Sequence, residues 1–323
     1  MEIATTDYHT AGEPFRIVAE GEVEIPGATV GERRVVAAAT EEVDRVRRLL
    51  CHEPRGHADM YGCFLVPPDD GGADLGVLFW HKDGYSTACG HGTIALGAWA
   101  VESGRVAAEP DGEVDVTIDV PSGRVVARVR CRAGAVEAVA FRNVPSFVVA
   151  RGVRVADTDL DIAYGGALYA FVSADSAGVR VDPSDVPELI RVGRAIKGAL
   201  EGHELARHPS DDRLSGIYGT VIHEEVGPLH VRNVAIFADG EVDRSPTGSA
   251  TSARTALLLD DGALAAGQTW RNDSIIGTTF HARAVSTTDE GVLTEVEGTA
   301  YRTGEHRFVL EDRDPLGTGF VLR

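Results

Sequence analysis

Two stretches of this chain match each other in a way that few folds accommodate. ACGHGTIALGAWAVESGRV begins at Ala88 and PTGSATSARTALLLDDGAL begins at Pro246. In register, Cys89 stands against Thr247, Gly90 against Gly248, Thr93 against Thr251 and Gly104 against Gly262. The separations 104 − 89 and 262 − 247 are both 15 positions. Behind each leading glycine, residues 91–102 and 249–260 read as helices that are apolar on most faces, and such helices are buried. The pair predicts two related lobes, each wrapping strands around one buried helix. A chain of 323 residues is long enough for two modest domains.

Strand signals surround both segments. Alternating or short apolar runs occupy 15–18, 62–66, 76–80, 114–120, 125–129 and 138–141 in the first half. In the second half they occupy 147–150, 169–173, 231–237, 280–285 and 291–296. Two amphipathic helices are expected at 41–50 and at 186–201, the latter with Pro187 in its first turn.

Apolar residues make up 43% and charged residues 25%, which suits a soluble globular chain. The formal net charge of −19 repels polyanions, so nucleic acid is excluded as a partner. The opening MEIATTDYHT lacks a basic stretch followed by an apolar one, and no apolar run reaches membrane-span length. No membrane partner and a cytoplasmic location are therefore expected. In that compartment Cys51, Cys63, Cys89 and Cys131 are expected as free thiols. Cys51 and His52 with His57 match no standard zinc spacing, so no metal site is expected.

The chemistry is concentrated at the two helix starts. Free backbone N–H groups there carry partial positive charge and can hold a carboxylate without arginine. Gly90 and Gly248 permit close approach of a ligand to the backbone. The same field favours the thiolate form of a cysteine at a helix N-terminus, placing Cys89 to take a proton from a carbon beside a bound carboxylate. A small buried cysteine would fit the same setting, and the setting alone leaves both readings open. His91 is expected to offer its backbone N–H, because side chains two apart on a helix diverge.

At these residues the sequence resembles the proline racemase family. The resemblance runs through TTDYHTAGEPFRIV at 5–18, HEPRGHADMYG at 52–62, ACGHGTIALG at 88–97, IFADGEVDRSPTGSATSAR at 236–254, NDSIIGTTF at 272–280 and DPLGTGF at 314–320. It implies a diaminopimelate epimerase-like α/β (α+β) fold of two pseudo-symmetric lobes, with the active site between two central helices. The lobes are expected at 1–133 plus 305–323, carrying Cys89, and at 134–304, carrying Thr247. It further implies no metal and no organic cofactor, a small imino-acid substrate of the hydroxyproline type, and a homodimer. The substrate carboxylate would lie on the amides of Gly90, His91, Gly248 and Ser249, and Asp243 would hold the ring nitrogen. Tyr61 and Phe237 match pocket-wall positions. His223 and His230 are further candidates, whose plainer reading is surface or strand histidine.

One departure bears on the reaction. Racemases and epimerases of this family use two cysteines on opposite faces of the substrate, and here Thr247 stands at the second place. A hydroxyl is a far weaker acid than a thiol. The Cys-plus-Thr pattern resembles that of the family's dehydratases acting on trans-3-hydroxy-L-proline. In that substrate the leaving hydroxyl and the α-hydrogen share one ring face, so Cys89 alone serves a syn elimination of water to Δ1-pyrroline-2-carboxylate. Thr247 then orients the substrate. The competing readings are a proline racemase or 4-hydroxyproline 2-epimerase, a non-catalytic imino-acid binder, and a cysteine hydrolase, the last disfavoured by the Cys89–His91 spacing.

Overall fold

The computed structural model describes residues 1–155 and 157–322. Two compact units emerge, Met1–Val139 with Thr299–Arg323, and Ala140–Gly298.

The first unit opens with β1 (Glu2–Thr10), β2 (Glu13–Val18), α1 (Val30–Ala39), α2 (Glu41–Cys51), β3 (Gly62–Val66), β4 (Leu75–His81) and β5 (Gly84–Tyr85). Then come α3 (Gly90–Glu102), β6 (Gly112–Val120) and β7 (Gly123–Arg132), and β8 (Ala135–Arg142) carries the chain onward. The second unit holds β9 (Phe147–Val155), β10 (Thr158–Tyr164), β11 (Leu168–Ser173), α4 (Ala174–Ala177), α5 (Val186–Ala199), β12 (Ile217–Gly227), β13 (His230–Phe237) and β14 (Glu241–Val242). It ends with α6 (Gly248–Asp260), β15 (Thr269–Ser274), β16 (Thr279–Thr288) and β17 (Gly291–Gly298), after which β18 (Ala300–Val309) returns to the first unit.

The pairing repeats step for step. In the first unit β1 and β2 are antiparallel, two helices follow, and β3 joins β2 in parallel. Strand β4 runs antiparallel to β3, β5 folds back on β4, and after α3 the chain re-enters as β6, parallel to β4, and turns into β7. In the second unit β10 and β11 are antiparallel, and β12 joins β11 in parallel after α4 and α5. Strand β13 runs antiparallel to β12, β14 folds back on β13, and after α6 the chain re-enters as β15, parallel to β13, and turns into β16. Strand β18 flanks β1 as β9 flanks β10, both antiparallel. Parallel pairs need long crossovers, and in both units the crossovers are helical. The duplication seen at the two glycine-led segments thus extends through each unit.

The α/β architecture expected from the sequence is the one found. Ten of the 13 positions of α3 are buried, and likewise ten of 13 in α6, which is why neither shows an amphipathic stripe. Helix α3 packs on β1, β2, β6, β7 and β18, and α6 packs on β9, β10, β16 and β17. Small side chains make this approach possible. A Cβ at Gly97 would lie 2.7 Å from the Ala127 Cβ on β7, so the helix can sit against that strand only without one.

Several elements escaped the sequence reading, among them α1, β1, β10, β12, β15 and β18, and the first two show why. Helix α1 is capped by Thr29, whose hydroxyl accepts the Glu32 N–H at 3.2 Å. Its buried face carries Arg33, which donates to the Pro67 carbonyl at 2.9 Å, so no apolar stripe marks it. Strand β1 turns polar groups inward. Asp7 is buried there and receives Arg16 through Nε at 3.0 Å and a terminal nitrogen at 2.9 Å. Among the described residues no helix is long and apolar enough to cross a membrane.

Candidate active site

The start of α3 is organised around the Cys89 sulfur. Cys89 is 5% exposed and has extended backbone, with φ −154° and ψ 107°. Its Sγ accepts the Gly92 N–H at 3.1 Å. Its carbonyl accepts the Thr93 N–H at 3.0 Å and the Thr93 hydroxyl at 2.8 Å. The thiol thus fills the helix-capping position that serine, threonine or aspartate usually takes, and it sits at the positive end of the helix dipole. Gly92 is required for this, since a Cβ there would lie 2.8 Å from the sulfur and 2.5 Å from the Phe15 ring.

The His91 ring corrects the sequence expectation. It does not diverge from Cys89: Nδ1 and Nε2 lie 3.4 Å and 3.6 Å from the sulfur. The divergence rule holds between two helical residues, and Cys89 stands outside the helix with extended backbone, which swings its side chain back over the first turn. Near-equal distances to both nitrogens mean that the sulfur faces the ring without lining up with one of them. Tyr61 meets this ring edge-on at 4.9 Å and Phe15 at 5.7 Å. Each such aromatic contact contributes roughly 0.5–1.5 kcal/mol beyond area burial. The Thr10 hydroxyl donates to the His91 carbonyl at 2.9 Å, and the Tyr61 hydroxyl is hydrogen-bonded to Ser86. Cys89, His91 and Tyr61 are therefore one constellation, joined by Phe15 and Ser86, which the sequence reading did not single out.

The start of α6 is built differently. Thr247 has φ 63° and ψ 95°. A β-branched residue rarely adopts positive φ, and strain of this kind costs about 1–3 kcal/mol. Its side chain makes no capping bond to the helix. The hydroxyl instead donates to Asp243 Oδ2 at 2.8 Å, while Asp243 Oδ1 accepts the Ser245 N–H at 2.8 Å. The Thr247 N–H donates to the Ser245 hydroxyl at 3.1 Å. With its proton engaged by a carboxylate, the Thr247 hydroxyl is a poor acid but keeps lone pairs to accept a bond. Asp243 likewise retains acceptor capacity, because an ionised carboxylate offers about four sites.

Helix geometry leaves the first amides of α6 without an intrahelical acceptor, and no Thr247 cap covers them, so Gly248 and Ser249 present N–H groups suited to an anion. The Ser249 hydroxyl lies 2.6 Å from that of Tyr169, whose ring meets Tyr218 at 5.7 Å, and Tyr218 stacks on Phe237 at 5.6 Å. Phe237 is thereby connected to the helix start through two tyrosines. No spacing marks Tyr169, which reads as one more residue of a buried strand.

The two further histidines lie in other networks. His223 Nε2 is 2.9 Å from an Arg254 nitrogen, in the body of α6, and Arg254 also reaches Glu225 at 2.8 Å. Burial, and then the neighbouring Arg254 charge, push the His223 imidazole down to about 3. His230 Nε2 is 2.7 Å from Asp273. Burial opposes ionisation of Asp273, but bonds from Arg271, Thr279 and His230 prevail and hold its carboxyl near 2. The other cysteines are buried, and burial raises the thiols of Cys63 and Cys131. Cys51 donates to the Met60 carbonyl at 3.3 Å, and His57 Nδ1 accepts the Asp59 N–H at 3.2 Å.

Comparison with known proteins points one way. A family model described as proline racemase matches residues 5–321. A trans-3-hydroxy-L-proline dehydratase of Bacillus thuringiensis subsp. konkukian (strain 97-27) is 43% identical, over 98% of this chain and 97% of its own. A 3-hydroxyproline 2-epimerase of Burkholderia multivorans is also 43% identical, over 99% of this chain and 98% of its own. Among solved structures, a hydroxyproline epimerase from Agrobacterium vitis with bound trans-4-OH-L-proline superposes with a TM-score of 0.92 at 29% identity. That match covers 99% of this chain and 96% of the other.

Proposed function

This chain belongs to the proline racemase family, and we propose that within it the protein is a trans-3-hydroxy-L-proline dehydratase, a hydro-lyase that works without a cofactor. The observation that carries the reading is the inequality of the two helix starts. One presents a thiol capping its own helix, and the other presents a hydroxyl already bound to Asp243. A two-face proton exchange needs an acid at both places, whereas elimination from a single face needs only Cys89. Full-length similarity to relatives bearing that name supports the same reading.

In the proposed reaction the substrate carboxylate lies on the amides of Gly90, His91, Gly248 and Ser249, and Asp243 takes the ring nitrogen. Preorganised N–H groups of this kind stabilise the charge that develops as the α-proton leaves, one such donor contributing about 3 kcal/mol. The Cys89 thiolate takes the α-proton. The freed electron pair forms the C2–C3 double bond as the C3–O bond breaks. The new thiol, on the face of the departing hydroxyl, returns the proton, so water leaves and the thiolate is restored. The resulting enamine tautomerises to Δ1-pyrroline-2-carboxylate. Thr247 orients the substrate, accepting a bond while donating to Asp243.

A 2-epimerase is the second reading, favoured by the Burkholderia multivorans relative at the same identity. The deciding experiment incubates the purified protein with L-proline, trans-4-hydroxy-L-proline and trans-3-hydroxy-L-proline, following optical rotation and pyrroline formation together. Pyrroline from the third substrate alone is the expected result. Inversion of configuration without loss of water would replace the dehydratase reading by the epimerase one.

A further inference from the structure

The turn that precedes α6 is held at a single atom. The Pro246 carbonyl accepts Asn233 Nδ2 at 3.2 Å, Asn272 Nδ2 at 3.2 Å and the Thr251 hydroxyl at 3.1 Å. Asn272 Nδ2 also reaches the Thr251 hydroxyl at 2.9 Å, closing a triangle. The asparagines come from β13 and β15, parallel neighbours in which Val231 pairs with Asn272 and Asn233 with Ser274. Both are almost wholly buried.

The chemistry of the acceptor fixes how these side chains lie. Only the nitrogen of a carboxamide can meet a carbonyl oxygen, so each asparagine turns its own oxygen away. Both Oδ1 atoms are buried without a hydrogen-bond partner. The arrangement brings both amide nitrogens onto one carbonyl. It belongs to a longer ladder. Trp270 Nε1 donates to the Thr255 hydroxyl at 2.9 Å, and that hydroxyl donates to the Thr251 carbonyl at 2.9 Å. Two residues of β15 span roughly the same length as four of α6, about 6 Å, so Trp270 and Asn272 address Thr255 and Thr251 in step. The lower rung meets the body of α6, and only the upper one also reaches the residue before Thr247.

We propose that Asn233 and Asn272 are positioning residues for the proposed reaction. They hold the Pro246 carbonyl so that Thr247 is kept at positive φ, its hydroxyl reaches Asp243, and the amides of Gly248 and Ser249 stay uncapped for the substrate carboxylate. The catalytic meaning of the clamp rests on the dehydratase reading; its hold on the turn does not.

The test compares the full-length protein with Asn272→Leu and Asn233→Leu, and uses Trp270→Phe as a control that removes the lower rung from the same strand. Each asparagine variant is expected to raise KM for trans-3-hydroxy-L-proline about tenfold or more, with kcat falling less, while Trp270→Phe keeps both. A crystal structure of Asn272→Leu is expected to show Thr247 outside the positive-φ region. If Asn272→Leu does not fold, Asn233→Leu, which touches the same carbonyl, carries both measurements. Unchanged KM, an unmoved Thr247, or an equal rise in KM for Trp270→Phe would each overturn the clamp. A wild-type protein that leaves the substrate untouched would refute the dehydratase reading instead, and the φ of Thr247 in the variant would still decide the clamp.

Discussion

At the start of α3 the leading side chain turns back on its own helix, and at the start of α6 it turns away. Cys89, with φ −154°, gives its sulfur to the Gly92 N–H, and Thr247, with φ 63°, gives its hydroxyl to Asp243. The matched threonines one turn later show where the paths part. Thr93 donates to the carbonyl of Cys89 itself, whereas Thr251 donates to the carbonyl of Pro246, one residue earlier. The one-residue shift of acceptor goes with a change in the sign of φ and in the partner of the side chain. On the reading proposed above, a duplicated scaffold keeps its helix, its glycine and its threonine while one half carries the proton and the other holds the substrate.

The largest test of that contrast is removal of the sulfur. Cys89→Ser should lower pyrroline formation from trans-3-hydroxy-L-proline by about 10²–10⁴-fold, the usual contribution of a positioned base. Calorimetry should show that L-proline still binds. On the other side, Thr247→Val deletes a bond to a charged partner, and kcat/KM should fall about 10–100-fold, in line with the roughly 1.5–3 kcal/mol of such bonds. Thr247→Cys sharpens the comparison by making the halves alike. Its expected signature is exchange of the α-hydrogen of L-proline with deuterated solvent above the wild-type rate, read by NMR.

The helices differ farther along as well. Where α3 carries Leu96, α6 carries Arg254 against His223. His223 titrates near 3 in the folded chain against an ordinary 6.5, so between those values the unfolded chain binds the proton and the folded one does not. The part of the stability that depends on neutral His223 is therefore fully present above pH 6.5 and is lost as the pH falls toward 3. At pH 5 the loss is about 2 kcal/mol. Hydrogen exchange should show residues 140–298 loosening between pH 7 and 5, and His223→Gln should flatten that slope. The smallest expected effect belongs to His91. His91→Phe preserves the edge-on packing and removes the nitrogens facing the sulfur, and kcat should drop by no more than about tenfold in steady-state assays. No drop at all would mean that the ring only packs.

Much of this contrast was legible in the chain. Each half carries its glycine-led apolar segment locally, so Cys89, Thr247 and the two buried helices could be read from residues side by side. The family motifs carried Asp243 in the same way. What could not be read depends on distant partners. Asn233 and Asn272 look like ordinary strand residues until both are seen on one carbonyl, and Tyr169, on its strand, and Ser86, in a loop, look equally ordinary until each is seen against a hydroxyl. His91 was misjudged because a helical rule was applied across a residue with extended backbone. Helix α1 was missed because a buried arginine, satisfied by the Pro67 carbonyl, stands where an apolar side chain would have signalled it.

The pairing of β1 with β18, which sets Glu2 against Val309, has a consequence for how the chain is made. The segment Ala140–Gly298 is continuous in sequence, and residues of the other unit both precede and follow it. During synthesis it leaves the ribosome whole while its neighbour still lacks a closing strand. The earlier-made portion must therefore wait, with the flank of β1 unfilled, for the last strand to arrive.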